Sequence, residues 1–118
     1  MDKMNIRKAA MIGCGFVGAS SAFALMQSGI FSEMVMIDAD HAKAEGEAMD
    51  LSHGLPFARP VKIYDGDYDD IVDAGIIIIT AGANQKPDET RLDLIHKNVE
   101  IYKQIIPEIA KRGCEGIL

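Results

Sequence analysis

The chain has 118 residues, 48% hydrophobic and 25% charged, with 12 Lys plus Arg against 18 Asp plus Glu and a formal net charge of -6. That is about the size of one compact unit, and an acidic balance without a basic stripe argues against nucleic acid as a partner. Cys14 and Cys114 have no metal-ligand spacing and build no framework of pairs, so the sequence offers no metal site and fits a reducing compartment.

Lys8 to Ile12 reads as a first strand. No charged residue occurs from Ala9 to Ser32, and Lys3, Arg7 and Lys8 precede this stretch, which gives it the outline of a signal peptide or a membrane span. Gly13, Gly15, Gly18, Gly29 and the intervening serines dilute its apolar content too far for either, so the expectation is a cytoplasmic protein with no membrane partner.

The strand runs into Gly13-Cys14-Gly15-Phe16-Val17-Gly18, and a helix follows from Gly15 to Ser28. Each glycine answers a separate need of a bound pyrophosphate. Gly13 allows the tight turn, Gly15 leaves the backbone bare toward the anion, and Gly18 lets the helix sit close to the strand. The anion then faces free N–H groups at a helix N-terminus, Val17 N–H among them. A second strand, Met34 to Ile37, ends at Asp38, about twenty residues after Gly18. Its carboxylate can accept hydrogen bonds from the adenosine ribose hydroxyls and would repel a 2′-phosphate, which selects NAD over NADP as cofactor.

A helix from Ala42 to Ser52 comes next, then a β-branched strand from Val61 to Tyr64. Asp65-Gly66-Asp67-Tyr68-Asp69-Asp70 reads as a solvated turn. Gly75 to Thr80, with four successive isoleucines, reads as a central strand opening into Ala81-Gly82-Ala83, where open sheets of this type hold their ligands. From Thr90 to Lys111 a long helix repeats Leu92, Ile95, Val99, Tyr102, Ile106 and Ile109 at three- and four-residue intervals, a stripe expected to pack on the sheet. Leu94, Ile101 and Ile105 form a second apolar line, available to another domain or subunit. Pro107 should kink this helix.

Glu115-Gly116-Ile117-Leu118 reads as the first residues of a fifth strand. The fold class expected is therefore α/β, a Rossmann-type doubly wound parallel sheet, incomplete at about four strands plus the start of a fifth. Residues 1–118 read as a truncated N-terminal NAD-binding domain, with a C-terminal catalytic domain absent from this chain.

Ala81-Gly82-Ala83-Asn84-Gln85-Lys86-Pro87-Asp88-Glu89-Thr90-Arg91-Leu92-Asp93-Leu94 resembles the mobile active-site loop of the L-lactate dehydrogenases. The glycine motif, Asp38, Asp50-Leu51-Ser52-His53-Gly54 and Asn98 fit the same family in order, so the resemblance covers essentially the whole chain. It implies an NAD-dependent interconversion of pyruvate and L-lactate. Arg91 is the implied catalytic and substrate-binding residue, polarising the ketone with a guanidinium that stays charged. Gln85 is the implied substrate-binding residue that faces the methyl of pyruvate, where malate dehydrogenases carry an Arg for a second carboxylate. Val17, Asp38, Lys43, Tyr68, Gly82 and Ala83 are the implied NAD contacts, with Gln104 as a further candidate beside the motif glycines Gly13, Gly15 and Gly18. The family is usually a homotetramer of glycolysis in the cytoplasm, and the residues for control by fructose 1,6-bisphosphate would lie outside this chain.

Blander readings stand beside these. Lys43 could pair with Glu47, Tyr68 could serve only a turn, and Gln85 and Arg91 could be ordinary residues at a helix start capped by Thr90 or a neighbour. The family's proton donor is a His held by an Asp, and His41, His53 and His96 do not match it, so that pair is expected beyond Leu118 and the isolated chain is expected to transfer no hydride. Asp88 departs from the Gly usual after the loop proline. A stand-alone nucleotide-binding module and a malate-type 2-hydroxyacid dehydrogenase remain the alternatives.

Overall fold

The computed structural model describes residues 4–53, 60–83 and 86–118. Gln85, Asn84 and Gly54, which entered the sequence reading, lie outside the described residues. Four strands, β1 (Asn5–Ile12), β2 (Glu33–Ile37), β3 (Lys62–Asp65) and β4 (Ala74–Ile79), alternate with α1 (Phe16–Ser28), α2 (His41–His53), a 3-10 turn (Tyr68–Ile71) and α3 (Arg91–Ala110). The order across the sheet is β3-β2-β1-β4, every pairing parallel. On the far edge of β4, Ile117 forms a parallel bridge with Ile76 through Ile77 N–H to Ile117 O at 2.8 Å and Ile117 N–H to Gly75 O at 3.0 Å. The isoleucine strand is therefore flanked by β1 on one side and by this single bridge on the other.

Side-chain alternation sorts the strands into two cores. Ala9, Met11, Met34 and Met36 face α1 and α2, where Ala22, Met26, Ala44, Ala48 and Leu51 meet them. Ala10, Ile12, Val35, Ile37 and Ile77 face the other way, onto Ile71 of the 3-10 turn and Ile105 and Ile109 of α3. Both faces are covered, which is why these strands are apolar at consecutive positions. Met11, Met26, Met34 and Met36 are fully buried, each contributing about 1.5–3 kcal/mol by burial.

The long helix corrects the sequence reading. The line Ile101, Ile105 and Ile109 packs on the sheet, while Leu92, Ile95, Val99 and Ile106 are exposed, at 62%, 55%, 46% and 39%. Of the stripe expected to pack, only Ile109 is buried. The helix continues through Pro107 to Ala110, and Gly113, with a φ of 65°, takes the left-handed conformation that ends it.

Lys8 is buried in β1 although charged. Its Nζ lies 2.6 Å from Asp73 and 3.5 Å from Glu33, whose carboxylate also accepts the Tyr64 hydroxyl at 2.6 Å. Burial opposes the Lys8 charge, but the bonds to Asp73 and Tyr64 outweigh it and hold the ammonium well above its ordinary range. This cluster ties three strands and the approach to β4 together toward their N-terminal ends, away from the glycine turn.

Candidate functional site

The C-terminal ends of β1, β2 and β4 open on one cleft of about 740 Å³. Its floor is the glycine turn. Gly13 has a φ of 104°, and a Cβ there would meet Ala81 N at 2.7 Å. Gly18 is closer still: a Cβ would strike the Gly13 carbonyl oxygen and come within 2.6 Å of Thr80 Oγ1, which itself donates to Gly13 O at 3.0 Å. Around Gly15, by contrast, an added Cβ meets nothing within 4 Å. Strand, turn and helix are thus packed tight on either side of one open position, and α1 starts there without a side-chain cap on its N–H groups. Val17, the second residue of that helix, is 63% exposed.

Asp38 stands at the end of β2. Its carboxylate accepts Cys14 N–H at 2.7 Å and Asp40 N–H at 2.9 Å. Two backbone donors fix the rotamer at the cleft wall while leaving each oxygen further accepting capacity. Cys14 turns its thiol away, buried against Ile37 O at 3.6 Å. Burial, and next the Asp38 charge, push that thiol up to about 11, so it stays protonated and inert at neutral pH.

Of the residues singled out in the sequence, Gly13, Gly15, Asp38, Lys43, Tyr68, Gly82 and Gln104 line this one cleft. Lys43 is exposed and has no ion pair with Glu47 among the described residues. Tyr68 is not in a solvated loop: it opens the 3-10 turn, which Asp67 and Asp70 cap reciprocally, and it packs half-buried on the core under α3. His41 lines the same wall as Asp38 and Lys43.

Beyond β4, Asn98 of α3 accepts Ala83 N–H at 2.9 Å and so ties the start of the loop to the helix. The segment from Lys86 to Glu89 is a turn closed by Glu89 N–H to Lys86 O at 3.0 Å, and no described non-glycine residue has a positive φ, as a type I turn over Pro87-Asp88 requires. Glu89 accepts Lys86 N–H at 2.8 Å and pairs with Lys97 of α3, interactions that hold its carboxyl below the ordinary range, the Lys97 bond foremost. Thr90 and Asp93 form a capping box that sets the start of α3, and with it the backbone of exposed Arg91. Arg91 does not line the cleft. Sequence reasoning missed Thr80, Glu89 and Lys97 as anchors. Thr80 was visible as the polar residue ending the isoleucine run, and the Glu89–Lys97 pair spans a helix start that local spacing does not reveal.

The open glycine position, an uncapped helix start, a fixed carboxylate at the next strand end and an apolar wall from Ile37, Ile101 and Ile105 suit an extended phosphodiester with a ribose and a flat apolar group. Among the described residues no group of His, Cys, Asp and Glu is arranged to hold a metal ion.

Residues 7–118 match the family described as lactate/malate dehydrogenase, NAD binding domain. The L-lactate dehydrogenase of Priestia megaterium is 55% identical over 112 residues, covering 95% of this chain and 35% of that protein. That of Acetivibrio thermocellus is 55% identical over 113 residues, covering 96% of this chain and 36% of that protein. Among solved structures, a lactate dehydrogenase from a Medee basin deep-sea metagenome library superposes with a TM-score of 0.89 at 49% identity, over 98% of this chain and 37% of that one. The minor L-lactate dehydrogenase of Enterococcus mundtii, in its ligand-bound form, gives 0.90 at 44% identity, over 95% and 36%. The chain spans about a third of the length of the curated relatives it matches.

Proposed function

The chain belongs to the lactate/malate dehydrogenase family, as its NAD-binding domain, and from that premise we propose that it serves an NAD-dependent L-lactate dehydrogenase interconverting pyruvate and L-lactate. The observation that carries the cofactor side is the packing of the glycine turn against Ala81 and Thr80 with Gly15 left open beside Asp38. NAD, when bound, supplies the hydride acceptor, and in its reduced form the hydride donor.

The chain's own residues do the holding. Phe16, Val17 and Gly18 offer backbone N–H groups to the pyrophosphate, Asp38 accepts from the ribose hydroxyls, and Tyr68, Gln104 and Lys43 border the adenosine. Gly82 and Ala83 continue the wall past β4. Arg91 is the group that polarises the substrate carbonyl, its backbone set by the Thr90–Asp93 box. Gln85 reads the substrate's methyl, a neutral amide where a second carboxylate would need a guanidinium. Residues 1–118 act as the NAD-binding domain, and the His that delivers the proton belongs to a second, catalytic domain.

We further infer a homo-oligomer, a tetramer by family resemblance, acting in glycolysis in the cytoplasm. The exposed face of α3 supports the oligomer, since Ile95, Val99, Tyr102 and Ile106 line an apolar groove that a second subunit would cover. No helix among the described residues is long and apolar enough to cross a membrane.

NADH oxidation by the full enzyme, with this domain joined to the catalytic domain that carries the His, followed at equal concentrations of pyruvate and oxaloacetate, tests the substrate. Turnover with pyruvate in clear excess is expected. A preference for oxaloacetate would make the protein a malate-type enzyme and remove the role given to Gln85.

A further inference from the structure

Arg112 follows α3 and lies outside every motif above. Its side chain is largely buried and makes three contacts with charged or aromatic groups. Nε donates to Asp69 Oδ1 at 3.0 Å, an Nη donates to Glu108 Oε2 at 2.6 Å and to Glu108 O at 2.8 Å, and the guanidinium carbon sits 5.7 Å from the Tyr68 ring centroid. Among the described residues this is the only ion pair between the 3-10 turn and the α3 region.

Both segments contribute to the lining of one cleft. Tyr68 comes from the 3-10 turn and Asp67 caps it, while Gln104, Ile105 and Glu108 come from α3. Ile71 and Ile105 hold the segments together deeper down, in the core. Behind the lining residues Tyr68 and Glu108 the join is polar, and Arg112, which does not itself line the cleft, makes it. The guanidinium suits this position because one rigid fork reaches Asp69 and Glu108 at once while its face lies on an aromatic ring. It also holds the Glu108 carboxylate along the helix, where Lys111 lies 3.0 Å from the same oxygen, so that this acid does not carry a bare charge beside the cleft.

We propose that Arg112 is a positioning residue for the adenosine end of the dinucleotide site: it fixes the spacing between Tyr68 and α3 and neutralises Glu108 beside the cleft. The inference rests on the NAD reading above and adds a residue outside the family motifs. Arg112 touches Tyr68 and Glu108 and acts through them.

The test is the affinity of the full chain for ADP-ribose and for NADH, measured by calorimetry and by NADH fluorescence, in wild type, Arg112→Met, Arg112→Lys and Asp69→Asn. Arg112→Met is expected to raise both dissociation constants by the same factor, about five- to tenfold, as loss of a ring contact and a paired charge implies. Arg112→Lys can reach one acid at a time and should recover part of the loss. Asp69→Asn removes the charge from the tie on the exposed side while keeping an oxygen that can accept from Nε, leaves α3 untouched, and should weaken ADP-ribose in the same direction but by less. Unchanged ADP-ribose binding in both Arg112→Met and Asp69→Asn would overturn the proposal, as would an Arg112→Lys protein no better than Arg112→Met. A wild-type chain that binds neither ligand would instead overturn the NAD reading itself, and this inference with it.

Discussion

Asp38 accepts the backbone N–H of Cys14 at 2.7 Å, so the carboxylate that ends β2 is fastened to the glycine turn that ends β1. The two elements proposed to hold the ribose and the phosphates are therefore joined directly. The join is completed from the other side by Thr80, which donates to Gly13 O.

Gly18 and Gly15 should separate in mutagenesis. Gly18→Ala drives a methyl into the Gly13 carbonyl and Thr80, and the overpacking should cost about 1–3 kcal/mol in a denaturant melt. Gly15→Ala meets nothing and should stay within about 0.5 kcal/mol of the wild type. It should nonetheless weaken NADH about tenfold or more, because its methyl occupies the room left for the pyrophosphate. A Gly15→Ala protein with normal NADH affinity would contradict the role given to that open space.

Alkaline pH should destabilise the fold through Cys14. Burial first, then Asp38, raises its thiol from 9.0 to about 11, so the folded state holds the proton more tightly than the unfolded chain does. That contribution is fully present below pH 9 and is lost as the pH rises through 11. The melting midpoint should fall across this window, and Cys14→Ala should flatten the fall. Tyr64, raised by burial and its bond to Glu33 to about 12, extends the decline above it. An unchanged slope in Cys14→Ala would remove the thiol from the account.

Much of this arrangement is legible in the sequence because it is local. The glycine spacing, the acid after the second strand and the Thr90 cap each depend on residues a few positions apart, and all lie where spacing puts them. The burial of α3 is not legible in the same way. The helix carries apolar residues on two lines, and a 3.6-residue period reports each line without saying which one meets the sheet. The longer line, through Leu92, Ile95 and Val99, is the exposed one. Lys8 and Arg112 were illegible for a related reason, since their partners Asp73 and Asp69 are distant in the chain.

The exposed line on α3 should carry subunit contacts. Ile95→Glu with Val99→Glu is expected to lower the mass seen by light scattering while the helical circular dichroism stays unchanged. The same mass in wild type and variant would mean that subunits do not meet on this face.

Asp88 sits exposed in the turn before α3, in the segment proposed to act on an anionic substrate. In the full enzyme, Asp88→Gly should lower the Michaelis constant for pyruvate by roughly two- to threefold at low salt and by less at high ionic strength. An unchanged or higher value would show that the added charge is without effect on the loop.

The most direct measurement is a fluorescence titration of the protein with NADH and, in parallel, NADPH, repeated for Asp38→Ser. The account predicts NADH bound at least about tenfold more tightly than NADPH, with the gap narrowed in the variant. Equal affinity for the two nucleotides in the wild type, or binding of neither, would contradict it.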